Sequence, residues 1–242
     1  MSHVVLLGAG LGARLRPLTD DRPKCVVAIA GEPLARRMLR QFASRGVKHA
    51  TVVVGHFAEK AQELIGNQVD DMAVAFVQNA DYATTNTMYS TLLAIDALSD
   101  GGFLVEGDIV AADSVIDRLV GSDSTRSHWA VDAWTSAHTG SRLWTSGSKR
   151  ITKQEIHRAH TPTAVKNAWK SSGMLRLTGA TAKQLGGFLK AEADRNIYYD
   201  DVIGKHVDSL EIDVLDLESA PWIEIDDFYD MAAARDLFED KK

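Results

Sequence analysis

The chain has 242 residues, enough for one sizeable core or two small ones, and 45% of them are hydrophobic. Its 27 basic and 33 acidic residues leave a formal charge of −6, which excludes the electrostatic footprint of a nucleic-acid binder. The single cysteine, Cys25, excludes an internal disulfide framework and fits a cytoplasmic protein, and no apolar run has the length of a membrane span or the charged-then-apolar order of a signal peptide.

In chain order, an apolar strand at His3–Leu7 runs into Gly8-Ala9-Gly10-Leu11-Gly12-Ala13-Arg14-Leu15-Arg16-Pro17, and Arg22-Pro23-Lys24 follows. Further strand-like runs at Ala50–Val54, Ala73–Val77 and Phe103–Glu106 alternate with helical periodicity at Leu34–Ser44, Ala58–Ile65 and Thr87–Leu98. Such alternation predicts an α/β fold, Rossmann-like, with a mixed, mostly parallel sheet covered by helices on both faces. From about 122 to 168 the pattern weakens, with β-like pieces at His128–Trp134 and Arg150–Ile156, and we read a small β-rich insertion within a single domain spanning 1–242. Order returns with a strand at Trp169–Leu177, a helix near Ala180–Ala193, a strand at Leu210–Leu215 and a last helix at Phe228–Phe238.

The glycines of the opening loop allow sharp turns and close backbone approach, and their N–H groups suit phosphate oxygens. Gly8-x-Gly10-x-x-Ala13 also fits the dinucleotide fingerprint, but Pro17 and Pro23 disfavour the helix that fingerprint needs. A P-loop fails as well, because no Gly-Lys-Ser/Thr closes the run. What remains is an extended basic arm on which Arg14, Arg16 and Lys24 can wrap a triphosphate.

Two acidic clusters follow. Phe103-Leu104-Val105-Glu106-Gly107-Asp108 places Asp108 at the carboxyl end of an apolar strand, where open α/β sheets bind ligands, although a plain turn explains an aspartate there equally. In Trp222-Ile223-Glu224-Ile225-Asp226-Asp227, a strand would put Glu224 and Asp226 on one face with Ile223 and Ile225 turned to the core. Two such carboxylates opposite a third suit magnesium, whereas Asp227 reads as the N-cap of the last helix.

The stretch Leu7–Leu15, with Pro17-Leu18-Thr19 and Arg22-Pro23-Lys24, resembles the signature of the nucleotidyltransferases that join an NTP to a phosphorylated small molecule. One departure is Gly8, where many members have Ala; the loss of a Cβ there is expected to matter little. Asn79–Ser90 and Trp222–Asp227 resemble segments of the cytidylyltransferases that act on phosphocholine and on phosphonates such as 2-aminoethylphosphonate or 2-hydroxyethylphosphonate.

The resemblance implies the nucleotidyltransferase fold and a magnesium-dependent transfer of CMP from CTP, with release of pyrophosphate. It places the metal on Asp108, Glu224 and Asp226, the catalytic charges on Lys24 and Arg14, and the nucleotide on Leu7, Gly8, Ala9, Gly10, Gly12, Asn79, Thr85, Asn86 and Gly107. Asn79 and Asn86 can each offer a base edge both a donor and an acceptor, or serve as turn and capping residues.

For the acceptor, Lys170 and Ser172 would share a strand face and seat its phosphate or phosphonate. Tyr198, Tyr199 and Asp200 resemble the aromatic and acidic segment that receives a cationic head, unless one tyrosine is core and the aspartates cap a helix. Trp129, Trp134 and Trp144 would complete a cage or form the core of the β-rich stretch. The expected partners are CTP and a small phosphate or phosphonate acceptor, with no nucleic acid and no membrane; a homodimer is left open. Two other readings stand beside this one: a sugar-1-phosphate nucleotidyltransferase using UTP or dTTP, which Thr85-Asn86-Thr87 in place of Gly-Thr-Ala disfavours, and a catalytically silent nucleotide-sensing or scaffold domain.

Overall fold

The structure of the protein, a computed structural model, describes residues 3–158, 165 and 167–238. Strand β1 (His3–Gly8) leads through the glycine loop to the two-residue strands β2 (Ala28–Ile29) and β3 (Glu32–Pro33) and to helix α1 (Leu34–Ala43). Next come β4 (His49–Val54), α2 (Ala58–Ile65), β5 (Gln68–Val69), β6 (Met72–Gln78) and α3 (Thr87–Ala94). Strands β7 (Gly102–Glu106) and β8 (Ile109–Ala111) precede α4 (Asp113–Gly121), and β9 (Ser127–Ala133), β10 (Gly140–Thr145), β11 (Ile151–His157) and β12 (Ala168–Leu177) follow it. Helices α5 (Gly179–Ala191), α6 (Tyr199–Lys205) and α7 (Val207–Leu210), strands β13 (Ile212–Asp216) and β14 (Trp222–Glu224) and helix α8 (Phe228–Phe238) come last.

Ten strands form one sheet in the order β11-β10-β12-β7-β1-β4-β6-β5, with β9 against β12 and β13 against β9. Its centre is parallel: β1 pairs with β4 and β7, and β4 with β6. These strands read as continuous apolar runs because both faces are covered. Val4 and Leu6 pack with Met38, Phe42 and Ile65 on one side, and Val5 and Leu7 with Met88, Leu185 and Tyr199 on the other. The fold is thus the mixed, mostly parallel α/β sheet that the sequence predicts. Among the described residues no helix is long and apolar enough to cross a membrane.

The structure departs from the expected elements in four ways. The loop after β1 is no extended arm: single 3-10 turns form at Ala13–Leu15 and Lys24–Val26, and Leu15 is fully buried. A Thr19 hydroxyl donating to the Gly12 carbonyl folds it back. The helix expected over Thr87–Leu98 is α-helical only to Ala94 and finishes as a 3-10 turn at Ile95–Leu98. Short elements escaped the periodicity altogether, among them β8, α4, β10 and α6. Finally, β9, β10, β11 and β12 are hydrogen-bonded members of the main sheet; part of the 122–168 stretch lies outside the described residues.

Gly107 shows how closely β1 and β7 approach at their carboxyl ends. Its N–H donates to the Leu7 carbonyl at 2.9 Å, and a Cβ on Gly107 would stand 2.6 Å from that same oxygen. Gly10, by contrast, has nothing within 4 Å of such an atom. Gly107→Ala is expected to lower the melting temperature by about 5 °C, the scale of an overpacked site in a chain of this size, while Gly10→Ala melts as the wild type. Equal melting of both variants in thermal denaturation would refute this account of the junction.

Candidate active site

Three segments converge above the carboxyl ends of β1 and β7. The glycine loop leaves β1, Gly107-Asp108 leaves β7, and the two-stranded sheet of β8 and β14 pairs Glu224 with Ile109. The Ile225 N–H donates to the Asp108 carbonyl at 2.9 Å, which fixes the far end of the chain beside the strand-end aspartate. Ile225 is fully buried and Ile223 partly so, and Glu224 and Asp226 both line the cavity, as the alternation predicts. Asp227 turns away and accepts from the Tyr229 and Asp230 N–H groups, capping α8.

At the centre lies Lys24, its side chain only 16% exposed. Its Nζ donates to Asp226 Oδ1 at 2.9 Å and forms an ion pair with Asp108, while Arg14 Nη2 reaches the same Asp226 oxygen at 2.8 Å. Burial alone would push the Lys24 pKa down, but the carboxylates of Asp108 and Asp226 outweigh it and push it up. Asp226 is held below the usual aspartate range: Lys24 and Arg14 outweigh its burial. Arg16 takes no part, lying 3.6 Å from Asp20 on the surface.

A second acidic group adjoins this one. One carboxylate oxygen from each of Glu106, Asp108 and Glu224 lies within 4.8 Å of the others. Burial, then the charges of Asp200, Glu224 and Asp108, push the Glu106 pKa well up. Glu224 is likewise raised by burial, against the pull of Lys170 at 3.4 Å. Asp108 Oδ1 is buried without a hydrogen-bond partner among the described residues. Asp226 stands outside this trio, occupied by its two cations.

Two cavities meet here. The first is lined by all nine residues expected to hold a nucleotide, Leu7, Gly8, Ala9, Gly10, Gly12, Asn79, Thr85, Asn86 and Gly107. The loop geometry is specific at Gly12, whose φ is +62°, and a Cβ there would stand 2.9 Å from the Lys24 Cβ. At Gly8 a Cβ would stand 2.9 Å from the Cys25 sulfur, so in this chain the Gly8 position is not indifferent to Ala. Cys25 is buried, and burial with the nearby Asp108 charge pushes its thiol up to about 12.

Asn79 is not available to a base edge. Its Nδ2 donates to Thr85 Oγ1 at 3.0 Å and to Ser90 Oγ at 3.1 Å, and its Oδ1 accepts from the Asp81 N–H. Asn86 is the N-cap of α3, with Oδ1 accepting from the Thr87 N–H.

The second cavity shares Gly10, Lys24, Thr87, Glu106 and Asp108 with the first and extends to Lys170, Tyr198 and Asp200. Asp200 is 6% exposed; Ser141 donates to its Oδ2, Gln154 donates to Ser141, and its Oδ1 has no partner among the described residues. Burial pushes its carboxyl up to about 6.

Tyr199 corrects the expected aromatic pocket: it is fully buried in the core and donates its hydroxyl to Glu106 at 2.9 Å. Tyr198 lines the cavity under the Arg158 guanidinium, and Asp201 caps α6 by accepting from the Tyr198 N–H. Ser172 does not join Lys170, because the pairing of β12 with β9 breaks between Ser171 and Leu175, and Ser172 donates to the Ala130 carbonyl. Trp129 is core, the Arg142 guanidinium lies over the rings of Trp134 and Trp144, and none of the three is among the described residues that line this cavity.

Sequence reasoning passed over Glu106, Ser90, Ser141 and Arg158. Glu106 had a signal, a charged residue ending a buried strand just before Gly-Asp; Ser141 had none, since β10 itself was unread. The two cavities also share a wall. Asn86 N–H donates to the Arg195 carbonyl, Met88 N–H to the Ile197 carbonyl, and Tyr199 N–H to Thr87 Oγ1 at 3.2 Å.

Asp200 yields a pH test. Its folded pKa of about 6 lies above the ordinary 3.8, so its contribution to stability is full below the unfolded value and lost as the pH rises through about 6. Asp200→Asn cannot titrate. Its melting temperature, relative to wild type, is therefore expected to be higher near pH 7.5 than near pH 4. A difference independent of pH contradicts the assignment.

A model of the MobA-like NTP transferase domain matches residues 4–175. The CMP-5'-(3-aminopropyl)phosphonate synthase of Streptomyces rubellomurinus is 39% identical over 117 residues, 48% of this chain, which spans only 19% of that protein. The 2-aminoethylphosphonate cytidylyltransferase of Lancefieldella rimae is 26% identical over 238 residues, covering 96% of this chain and 91% of its own length. In fold, the CTP:phosphocholine cytidylyltransferase from Streptococcus pneumoniae superimposes with a TM-score of 0.81 at 20% identity, over 98% of this chain and 99% of its own.

Proposed function

We infer the function from an established premise: the chain belongs to the MobA-like NTP transferase domain family. We propose that it transfers CMP from CTP to a small acceptor carrying a phosphonate or phosphate, of the aminoethylphosphonate, hydroxyethylphosphonate or phosphocholine class. The observation that carries this reading is Lys24, held by Asp108 and Asp226 where the two cavities meet. The relatives that act on aminoalkylphosphonates and choline phosphate support the substrate class.

An oxygen of the acceptor forms a bond to the α-phosphorus, the bond from that phosphorus to the bridging oxygen breaks, and pyrophosphate departs with the electron pair. The attacking oxygen is anionic near neutral pH, so no strong base is required. Positioning and charge stabilisation then carry the rate. Lys24 and Arg14 face the leaving pyrophosphate, and triphosphate oxygens compete with Asp108 and Asp226 for them. Asp200, buried and with no partner for Oδ1 among the described residues, suits an ammonium at the acceptor's far end.

We assign magnesium to Asp108, Glu224 and Asp226, with Glu106 in reach. The donor set fits: Glu106, Asp108 and Glu224 bring carboxylate oxygens, which are hard ligands, within 4.8 Å of one another, burial and neighbouring carboxylates push the Glu106 and Glu224 pKa up, and Asp108 Oδ1 has no hydrogen-bond partner among the described residues. Asp226 joins that set as the phosphates draw Lys24 and Arg14 away. Bound there, magnesium would supply neutralising charge at the α-phosphate.

The test is pyrophosphate release with each of the four NTPs against phosphocholine, 2-aminoethylphosphonate, 2-hydroxyethylphosphonate and glucose 1-phosphate. CTP with a phosphonate or phosphocholine is expected to be fastest. Fastest turnover of UTP with glucose 1-phosphate, or no release with any pair, overturns the proposal.

Lys24→Ala should lower kcat by on the order of a hundredfold, as when one transition-state donor is removed. A variant that changes only the KM for CTP assigns Lys24 to ground-state binding instead.

A further inference from the structure

On the reading that the first cavity takes CTP, we propose that the Ser90 hydroxyl is the donor that reads the O2–N3 acceptor edge of the cytosine ring, and that Asn79 keeps it in that role. The order β7-β1-β4-β6 sets Asp108 and Asn79 on opposite sides of β1. With Lys24 and Asp108 at the phosphate end, the wall of Asn79, Thr85, Asn86 and Ser90 faces the base.

The hydrogen-bonding capacity of that wall is mostly spent. Asn79 is 1% exposed; its Nδ2 donates to Thr85 and Ser90, and its Oδ1 accepts from the Asp81 N–H. Thr85 gives its hydrogen to the Asp81 carbonyl at 2.9 Å, and Asn86 Oδ1 is taken by the Thr87 N–H. Ser90, 5% exposed, accepts from Asn79, and its own O–H meets no acceptor among the described residues.

Accepting one hydrogen bond strengthens a hydroxyl as a donor, and a buried donor left without an acceptor is costly. The wall therefore favours a ligand edge that offers acceptors, with the Asn86 amide as a second donor. Cytosine presents O2 and N3 side by side as acceptors. Uracil puts an N–H at N3, against which a donor is repelled.

The experiment compares Ser90→Ala with the wild type, as kcat/KM for CTP and for UTP at a fixed acceptor concentration, together with nucleotide binding by calorimetry in the absence of acceptor. Expected is a loss of about tenfold with CTP, mainly in KM, and a far smaller loss with UTP, so that the CTP:UTP ratio falls. Asn79→Asp, whose carboxylate draws the Ser90 hydrogen inward, lowers the same ratio and covers the case in which Ser90→Ala does not fold. A wild type that favours CTP while the variants keep its ratio overturns this inference alone. A wild type without preference for CTP over UTP overturns the CTP reading and this inference with it.

Discussion

A buried ammonium between two carboxylates from distant parts of the chain holds the site together. Lys24 comes from the loop after the first strand, Asp108 from the end of β7, and Asp226 from beyond β14. Removing Lys24 leaves two facing carboxylates without their shared cation in a poorly hydrated place, which is costlier than leaving the trio intact. The geometry of the glycine loop, the approach of β1 to β7 at Gly107 and the small sheet of β8 and β14 can all be understood as what brings these atoms together. On the proposed reading the carboxylates of Asp108 and Asp226 hold Lys24 and Arg14 where a polyphosphate would, and an incoming triphosphate must outcompete them.

Around that centre the molecule divides its labour by chemistry. Backbone N–H groups and small residues line the cavity on one side, where a Cβ at Gly12 or Gly107 would collide with its neighbours. On the other side the wall is made of side chains, Lys170, Asp200 and Tyr198, supported by Ser141 and Gln154 behind them. Glu106 lies on the boundary and is held by Tyr199 from within the core, so the packing of α6 is joined to the acidic group through one hydroxyl.

What the sequence disclosed follows from how local each signal is. The alternation of Glu224 and Asp226 was legible because its meaning lies in consecutive residues, and Asp227 as a cap because capping is a property of neighbours, whereas the Gly8–Lys24 loop was legible as a glycine turn but not in its folded-back course, which Thr19 and the burial of Leu15 set. Tyr199 and Asn79 were misread for the opposite reason. Both have side chains suited to a ligand, and only the packing shows that the ring faces Trp129 and the core, or that the amide is spent on Thr85 and Ser90. Ser172 is turned elsewhere by a break in strand pairing, and Ser141 carries no local signal because β10, with its Ser, Arg and Thr, lacks the apolar run of a buried strand.

The hydrogen bonds from the start of α3 to Arg195, Ile197 and Tyr199 make one wall serve both cavities. A ligand that shifted the start of α3 in the first cavity would shift the segment that leads into the second, and the reverse would hold equally. With the proposed nucleotide in the first cavity and the proposed acceptor in the second, the two occupancies would belong to a single equilibrium: if the nucleotide tightens the acceptor's hold by some factor, linkage requires the acceptor to tighten the nucleotide's by the same factor. Order of addition then becomes a kinetic matter, set by which ligand finds its cavity first, while the ternary state they reach is the same.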